Sequence, residues 1–170
     1  MKSATKVVQS VNECPAATKI QPLYLETQTL VERLHRRLLE VIEDEFDRRG
    51  RSDINAVQAL LIYNINDSEL SVSELRGRGF YLGSNVSYNL KKLVDLGLLD
   101  HQRALADRRS VRIKLTTAGR DVRDIVEELY RKHAGTVEQA TGIRADEIAA
   151  LNKSLQRLER FWVDQVMYRL

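Results

Sequence analysis

Between Ser71 and Thr117 the hydrophobic period of the sequence changes from that of a helix to that of a strand, and few folds accommodate such a change over so short a stretch. Ser71-Val72-Ser73-Glu74 has the spacing of a capping box. In such a box the Ser71 hydroxyl accepts from the backbone N–H of Glu74 while the Glu74 carboxylate accepts from the N–H of Ser71. A short helix therefore starts at Ser71. It is cut off by Gly77 and Gly79, each of which costs about 1 kcal/mol against Ala inside a helix, and the turn runs from Gly77 to Gly83. From Ser84 the spacing predicts a second helix, with Val86, Leu90, Leu93 and Val94 on one side and Gly97 as its C-terminal stop. Leu98 to Arg103 and Ser110 to Leu115 then read as two strands of a hairpin, the second with Val111, Ile113 and Leu115 inward and Arg112 and Lys114 outward.

One face of the second helix is apolar, so the other is free. At about 100° per residue, Ser84, Tyr88 and Lys91 fall opposite the apolar stripe, with Asn85 and Lys92 on one flank and Ser87 on the other. Their hydroxyl, amide and ammonium groups can bond base edges or phosphates, and the helix N-terminus adds donors and partial positive charge. The hairpin tip, Ala104-Leu105-Ala106-Asp107-Arg108-Arg109, carries two adjacent arginines. Surface ion pairs contribute only about 0 to 1 kcal/mol, so folding alone does not explain them. Beside such a helix, Arg108 and Arg109 can enter a minor groove or grip phosphates. Asp107, which phosphate would repel, orients an arginine or closes the turn. Charge supports this reading. The stretch from Leu82 to Lys114 holds seven basic and three acidic residues in a chain whose net charge is only +3, so the basicity is concentrated where nucleic acid would bind.

These residues carry a family resemblance. The run Asp107-Arg108-Arg109-Ser110-Val111-Arg112-Ile113-Lys114-Leu115-Thr116-Thr117-Ala118-Gly119, preceded by Leu90-Lys91-Lys92-Leu93-Val94-Asp95-Leu96-Gly97-Leu98-Leu99, closely resembles the MarR family of bacterial winged-helix transcriptional regulators. Within it, the chain looks most like the alphaproteobacterial regulators of L,D-transpeptidase genes. The resemblance implies a mainly α fold with a small β-hairpin wing, a winged helix-turn-helix joined to a helical dimerisation region. It also implies a homodimer on double-stranded DNA and a small aromatic effector in a crevice, here lined by Leu34, His35, Leu38, Leu60 and Tyr63. The sequence departs from the family pattern in placing Ala106 before the wing aspartate, where another basic residue is common, and in offering Asn85 and Tyr88 on the recognition helix where arginine is common. Asn pairs most naturally with adenine, so an A·T-rich operator is expected.

The remainder of the chain provides the frame. Residues 1–22 mix Ser, Thr, Lys and Ala with two prolines and read as a flexible arm. Residues 23–50, with Leu30, Leu34, Leu38, Val41, Ile42 and Phe46 at helical spacing, form with 119–170 the expected dimerisation region, and 51–118 the DNA-binding domain. Ser52 or Asp53 is expected to cap a support helix through Asn64, with Ile54, Val57, Leu60 and Leu61 inward. Glu69-Leu70 adds a minimal strand in the family layout. Thr116 or Thr117 caps a long helix bearing Val122, Ile125, Val126, Leu129, His133 and Val137, which Thr141-Gly142 breaks. A last helix from about Ala145 carries Ile148, Leu151, Leu155, Leu158 and Trp162 at coiled-coil-like spacing.

Other classes fit poorly. The chain is 43% hydrophobic, yet no apolar run approaches the roughly 18 residues of a membrane span; with no apolar leader, the expected location is the cytoplasm, in association with the nucleoid. His35, His101 and His133 sit singly on different elements, and neither a metal-ligand spacing nor a glycine-rich phosphate loop occurs, so no catalytic, metal or cofactor site is expected. Cys14 is the only cysteine, which rules out an intramolecular disulfide. Without a nearby cation to lower its pKa it reads as an inert thiol, a redox sensor being the alternative. The competing function is a winged-helix module that binds protein rather than DNA; the local basic surplus weighs against it.

Overall fold

The computed structural model describes residues 19–71, 74, 75, 84–103 and 111–168, with the side chains of 84–86, 102, 103 and 111 excepted. Residues 1–18 of the expected N-terminal arm, with Cys14, the turn from Gly77 to Gly83 and the hairpin tip with Asp107, Arg108 and Arg109 lie outside that description. Helix α1 spans Ile20–Arg48, α2 Ala56–Ile65, α3 Ser84–Asp95, α4 Thr117–Ala134, α5 Val137–Thr141 and α6 Ala145–Tyr168. The strands are β1 Leu70–Ser71, β2 Leu99–Arg103 and β3 Val111–Leu115. The described chain is thus mainly helical with one small antiparallel sheet, in the order β1-β3-β2. It divides into two compact units, one ending at Val41 and the other running from Ile42.

In the first unit α1 opens at Ile20, three residues before the helical period becomes legible, because Pro22 falls in its first turn, where a missing N–H costs nothing. Leu30 and Leu34 of the expected apolar stripe are 44% and 65% exposed, and Leu23 is 62% exposed. The stripe is present, but its N-terminal part is uncovered.

In the second unit the core is made by the end of α1 (Ile42, Phe46), by α2 (Ala59, Leu61, Ile62, Ile65), and by Leu93, Leu98, Leu99, Ile113, Leu115, Val122, Val126 and Leu129, all buried. Helix α2 is capped by Asn55, not by Ser52 or Asp53. The Asn55 side chain accepts from the Gln58 N–H at 2.9 Å and the Gln58 side chain accepts from the Asn55 N–H at 3.2 Å. Asp53 instead pairs with Arg51 at 2.7 Å. The later start also moves the inward face: Ala56, Gln58, Ala59, Leu61, Ile62 and Ile65 are buried, while Val57 and Leu60 are only half-buried. Arg49 bonds Glu45 at 2.7 Å and Glu128 at 2.9 Å, and Arg123 bonds Asp67 and Asp124, so the middle turns of α4 are tied to the chain on either side of α2.

The expected capping box is present. Glu74 N–H donates to Ser71 Oγ at 3.1 Å, and Ser71 N–H donates to the Glu74 carboxylate at 2.7 Å. The minimal strand before it is Leu70–Ser71, paired with β3 in the register Leu70↔Ile113. Strand β2 pairs with the other edge of β3, Leu99 opposite Leu115 and His101 opposite Ile113. Thr116 caps α4, accepting from the Gly119 N–H at 3.1 Å and donating to Gly97 O at 2.8 Å. Helix α4 stops at Ala134, before Val137, because the chain turns at Gly135 and Thr136; His133 and Val137 are exposed rather than inward. Helix α6 has no buried residue.

Candidate nucleic-acid interface

Helix α3 is held at its C-terminus by a Schellman motif. Gly97, at φ +70°, follows the last turn; its N–H donates to Val94 O and the next N–H, from Leu98, reaches Leu93 O, both at 2.9 Å. Only a residue without a Cβ enters that left-handed conformation freely, and the reversal carries the chain directly into β2. Leu90 and Leu93 are 7% and 0% exposed and anchor α3 on the core. Ser87, Tyr88, Lys91 and Lys92 are all exposed, Tyr88 at 67%.

Charge divides along the same line. On the sheet, Arg112 lies 3.9 Å from Glu69 and Lys114 lies 3.7 Å from Asp100. Lys91 and Lys92 have no carboxylate partner among the described residues, so their ammonium groups remain available to phosphate. Ser84 and Asn85 occupy the first turn of α3, ahead of these residues. The structure also brings in two residues that sequence reasoning missed. Gln58, fully buried on α2, donates from its side-chain amide to the Asn89 side-chain oxygen on α3 at 3.2 Å. Asn55-x-x-Gln58 has the spacing of a capping box, a signal that could have placed both the cap and the inward Gln58.

Of the five residues expected to line an effector crevice, Leu34 and His35 are exposed and Leu38 is half-buried in the first unit. Leu60 and Tyr63 are half-buried in the second. Tyr63 packs edge-on against Tyr130, ring centroids 5.1 Å apart, and burial, with Tyr63 adding to it, pushes the Tyr130 phenol above its ordinary pKa. A cavity of about 430 Å³ lies beside α3, walled by Leu90, Val94 and Ile113 with Ser87, Lys91, Asp95 and His101 as its polar lining. No helix among the described residues is long and apolar enough to cross a membrane.

A profile of the MarR family matches residues 52–110, which take in α2, β1, α3 and β2 and stop just before β3. The exopolysaccharide II synthesis transcriptional activator ExpG of Rhizobium meliloti (strain 1021) is 33% identical over 145 residues, covering 85% of this chain and 74% of that protein. Among solved structures, Streptococcus pneumoniae FabT in complex with DNA superposes with a TM-score of 0.64 at 22% identity, over 83% of this chain and 98% of that one. Bordetella bronchiseptica BpsR, a structure described as explaining regulation of DNA binding by 6-hydroxynicotinic acid, superposes with a TM-score of 0.63 at 18% identity, over 79% and 98%. An exposed polar helix seated on a small sheet, a matching profile over that head and a relative spanning most of the chain agree: this protein belongs to the MarR family of winged-helix, DNA-binding transcriptional regulators, and is not an enzyme.

Proposed function

We propose that the protein acts as a homodimer that sets α3 of each protomer in a major groove of one pseudo-palindromic operator, the two helices about one DNA turn, roughly 34 Å, apart. The observation that carries this is the face of α3, where Ser87, Tyr88, Lys91 and Lys92 are exposed opposite the buried Leu90 and Leu93. In this reading Ser84, Asn85, Ser87 and Tyr88 meet base edges and phosphates, Lys91 and Lys92 hold phosphates, and Arg108 and Arg109 serve the wing with Asp107 closing its turn. Dimerisation through 23–50 and 119–170 is supported by the uncovered apolar side chains of α1 and α6. On α6, Leu151, Phe161, Val163 and Val166 are 50%, 48%, 51% and 80% exposed, apolar side chains that a partner subunit would cover.

Control by a small aromatic effector is supported by the cavity beside α3. Its walls are apolar and its polar lining includes Lys91 and His101, a combination suited to an aromatic acid. An effector held by Lys91 would compete with the phosphate that Lys91 otherwise holds. The targets we assign rest on the expected kinship with regulators of L,D-transpeptidase genes and on the 33% identity to an activator of exopolysaccharide II synthesis. Both concern cell-surface polymers, and genes of that class, read in the cytoplasm on the nucleoid, are the targets we assign.

Selection from random duplex should return a two-fold symmetric site. On that site, Lys91→Ala should flatten the slope of log K against log salt by about one phosphate equivalent. An unchanged slope, or a protein that sediments as a monomer at working concentration, would refute the arrangement.

A further inference from the structure

Gln58 is the buried polar side chain of the described core, with no exposed surface. Its two ends are committed. The side-chain oxygen accepts from the Asn55 backbone N–H at 3.2 Å, and a backbone N–H can only donate, so the orientation of this amide is fixed by chemistry. The Gln58 nitrogen must then face α3, where it donates to the Asn89 side-chain oxygen at 3.2 Å. With its oxygen held inward, the Asn89 amide has its NH2 group left over, and that group has no partner among the described residues. At about 100° per residue, Asn89 lies between the buried Leu90 and the exposed Lys92 at the margin of the α3 face, which agrees with its half-buried state.

We infer that Asn89 is a further DNA-contacting residue, a donor-only contact to a backbone phosphate, and that Gln58 is the positioning residue that sets its polarity. This rests on the DNA-binding reading of α3. A recognition helix presents its centre to base edges and its margins to the walls of the groove, where the phosphates lie. A phosphate oxygen accepts and never donates, so an amide locked with its NH2 outward is matched to it. The same lock removes Asn89 as a reader of adenine, because that pairing needs the amide oxygen and nitrogen together.

The test compares variants on one duplex after establishing that the parent protein binds it. Asn89→Asp keeps an oxygen for Gln58 but puts a negative charge where the NH2 stood. It should lower affinity about tenfold or more on specific and non-specific duplex alike, with the thermal midpoint held near that of the parent. Asn89→Ala should lose less, since it removes the donor without adding an anion. Gln58→Glu should retain the cap on Asn55 while turning the Asn89 amide over, so that its oxygen faces phosphate; affinity should fall in the parent background and fall no further in the Asn89→Ala background. Equal affinity of Asn89→Asp and Asn89→Ala, or an equal effect of Gln58→Glu in both backgrounds, would overturn the inference. So would a changed base preference of Asn89→Asp in selection from random DNA, which would move the contact from phosphate to base. If Gln58→Glu does not fold, the comparison of Asp with Ala at position 89 decides alone. A parent protein that binds no duplex would instead sink the reading of α3 itself.

Discussion

Replacing Gly119 by Ala should destabilise the fold, against the usual trend for glycine in a helix. Gly119 is buried in the first turn of α4, where that helix crosses the chain entering β2. A Cβ there would fall 2.1 Å from the Leu98 carbonyl oxygen and 3.1 Å from its carbon, where real Cβ atoms essentially never come within 3.0 Å. The obstacle is backbone and cannot swing aside. It is also in use, since Leu98 O accepts from the Thr116 N–H at 3.1 Å and from the Thr116 hydroxyl at 3.2 Å. Opening the gap by about an ångström combines an overpacking cost of roughly 1 to 3 kcal/mol with weakening of hydrogen bonds that each contribute about 0.5 to 1.5 kcal/mol. Against this, Ala gains about 0.5 to 1 kcal/mol over Gly in a helix. The net loss is about 0.5 to 4 kcal/mol, which in a chain of this size lowers Tm by roughly 1 to 15 °C. Gly135→Ala is the control. Gly135 has φ −72°, and an added Cβ meets nothing nearer than 3.6 Å, so that variant should be neutral or slightly more stable. Thermal melts at one protein concentration would compare the two. A Gly119→Ala midpoint equal to or above that of Gly135→Ala would refute the close-approach argument.

Asn55→Ala should cost about 1 to 2 kcal/mol through loss of the α2 cap, whereas Ser52→Ala should be near neutral; chemical denaturation that ranks them the other way would restore the cap to Ser52. Acid should also destabilise the protein. The hydrogen bond from Arg49 holds the Glu45 carboxyl below its ordinary value of 4.5, and Arg51 likewise holds Asp53 below 3.8. A depressed folded-state pKa contributes stability that is complete above the unfolded value and is lost as pH falls through the folded one. Denaturation midpoints should therefore be insensitive to these groups above about pH 5 and decline below pH 4.5, with Glu45→Gln shallower in its decline; a midpoint that rises on acidification would contradict the assignment.

What could be read from the residues in order was whatever local interactions decide. The Ser71–Glu74 box, the Gly97 stop and the alternation of Ile113 with Lys114 each rest on hydrogen bonds or side-chain facing within a few positions, and each appears where the spacing places it. So does the apolar stripe of α3 opposite its polar face. Local signals also compete, and there the reading failed. Ser52, Asp53 and Asn55 are all able caps, and Asn55 is the one whose third following residue, Gln58, completes a reciprocal capping box. The period of α4 continues past Ala134 in the sequence, but the turn at Gly135 takes Val137 off that helix, and His133, still within its last turn, is exposed.

Tertiary structure alone decided the contacts between residues distant in the chain: Gln58 with Asn89, Gly119 with Leu98, and Arg49 with Glu128. No periodicity encodes these, because each depends on how two separate elements meet, not on the propensity of either. The sequence by itself determined that one helix would carry an apolar face and a polar one, since that follows from the order of side chains along a fixed helical pitch. Packing determined which amide behind that helix would orient one at its margin.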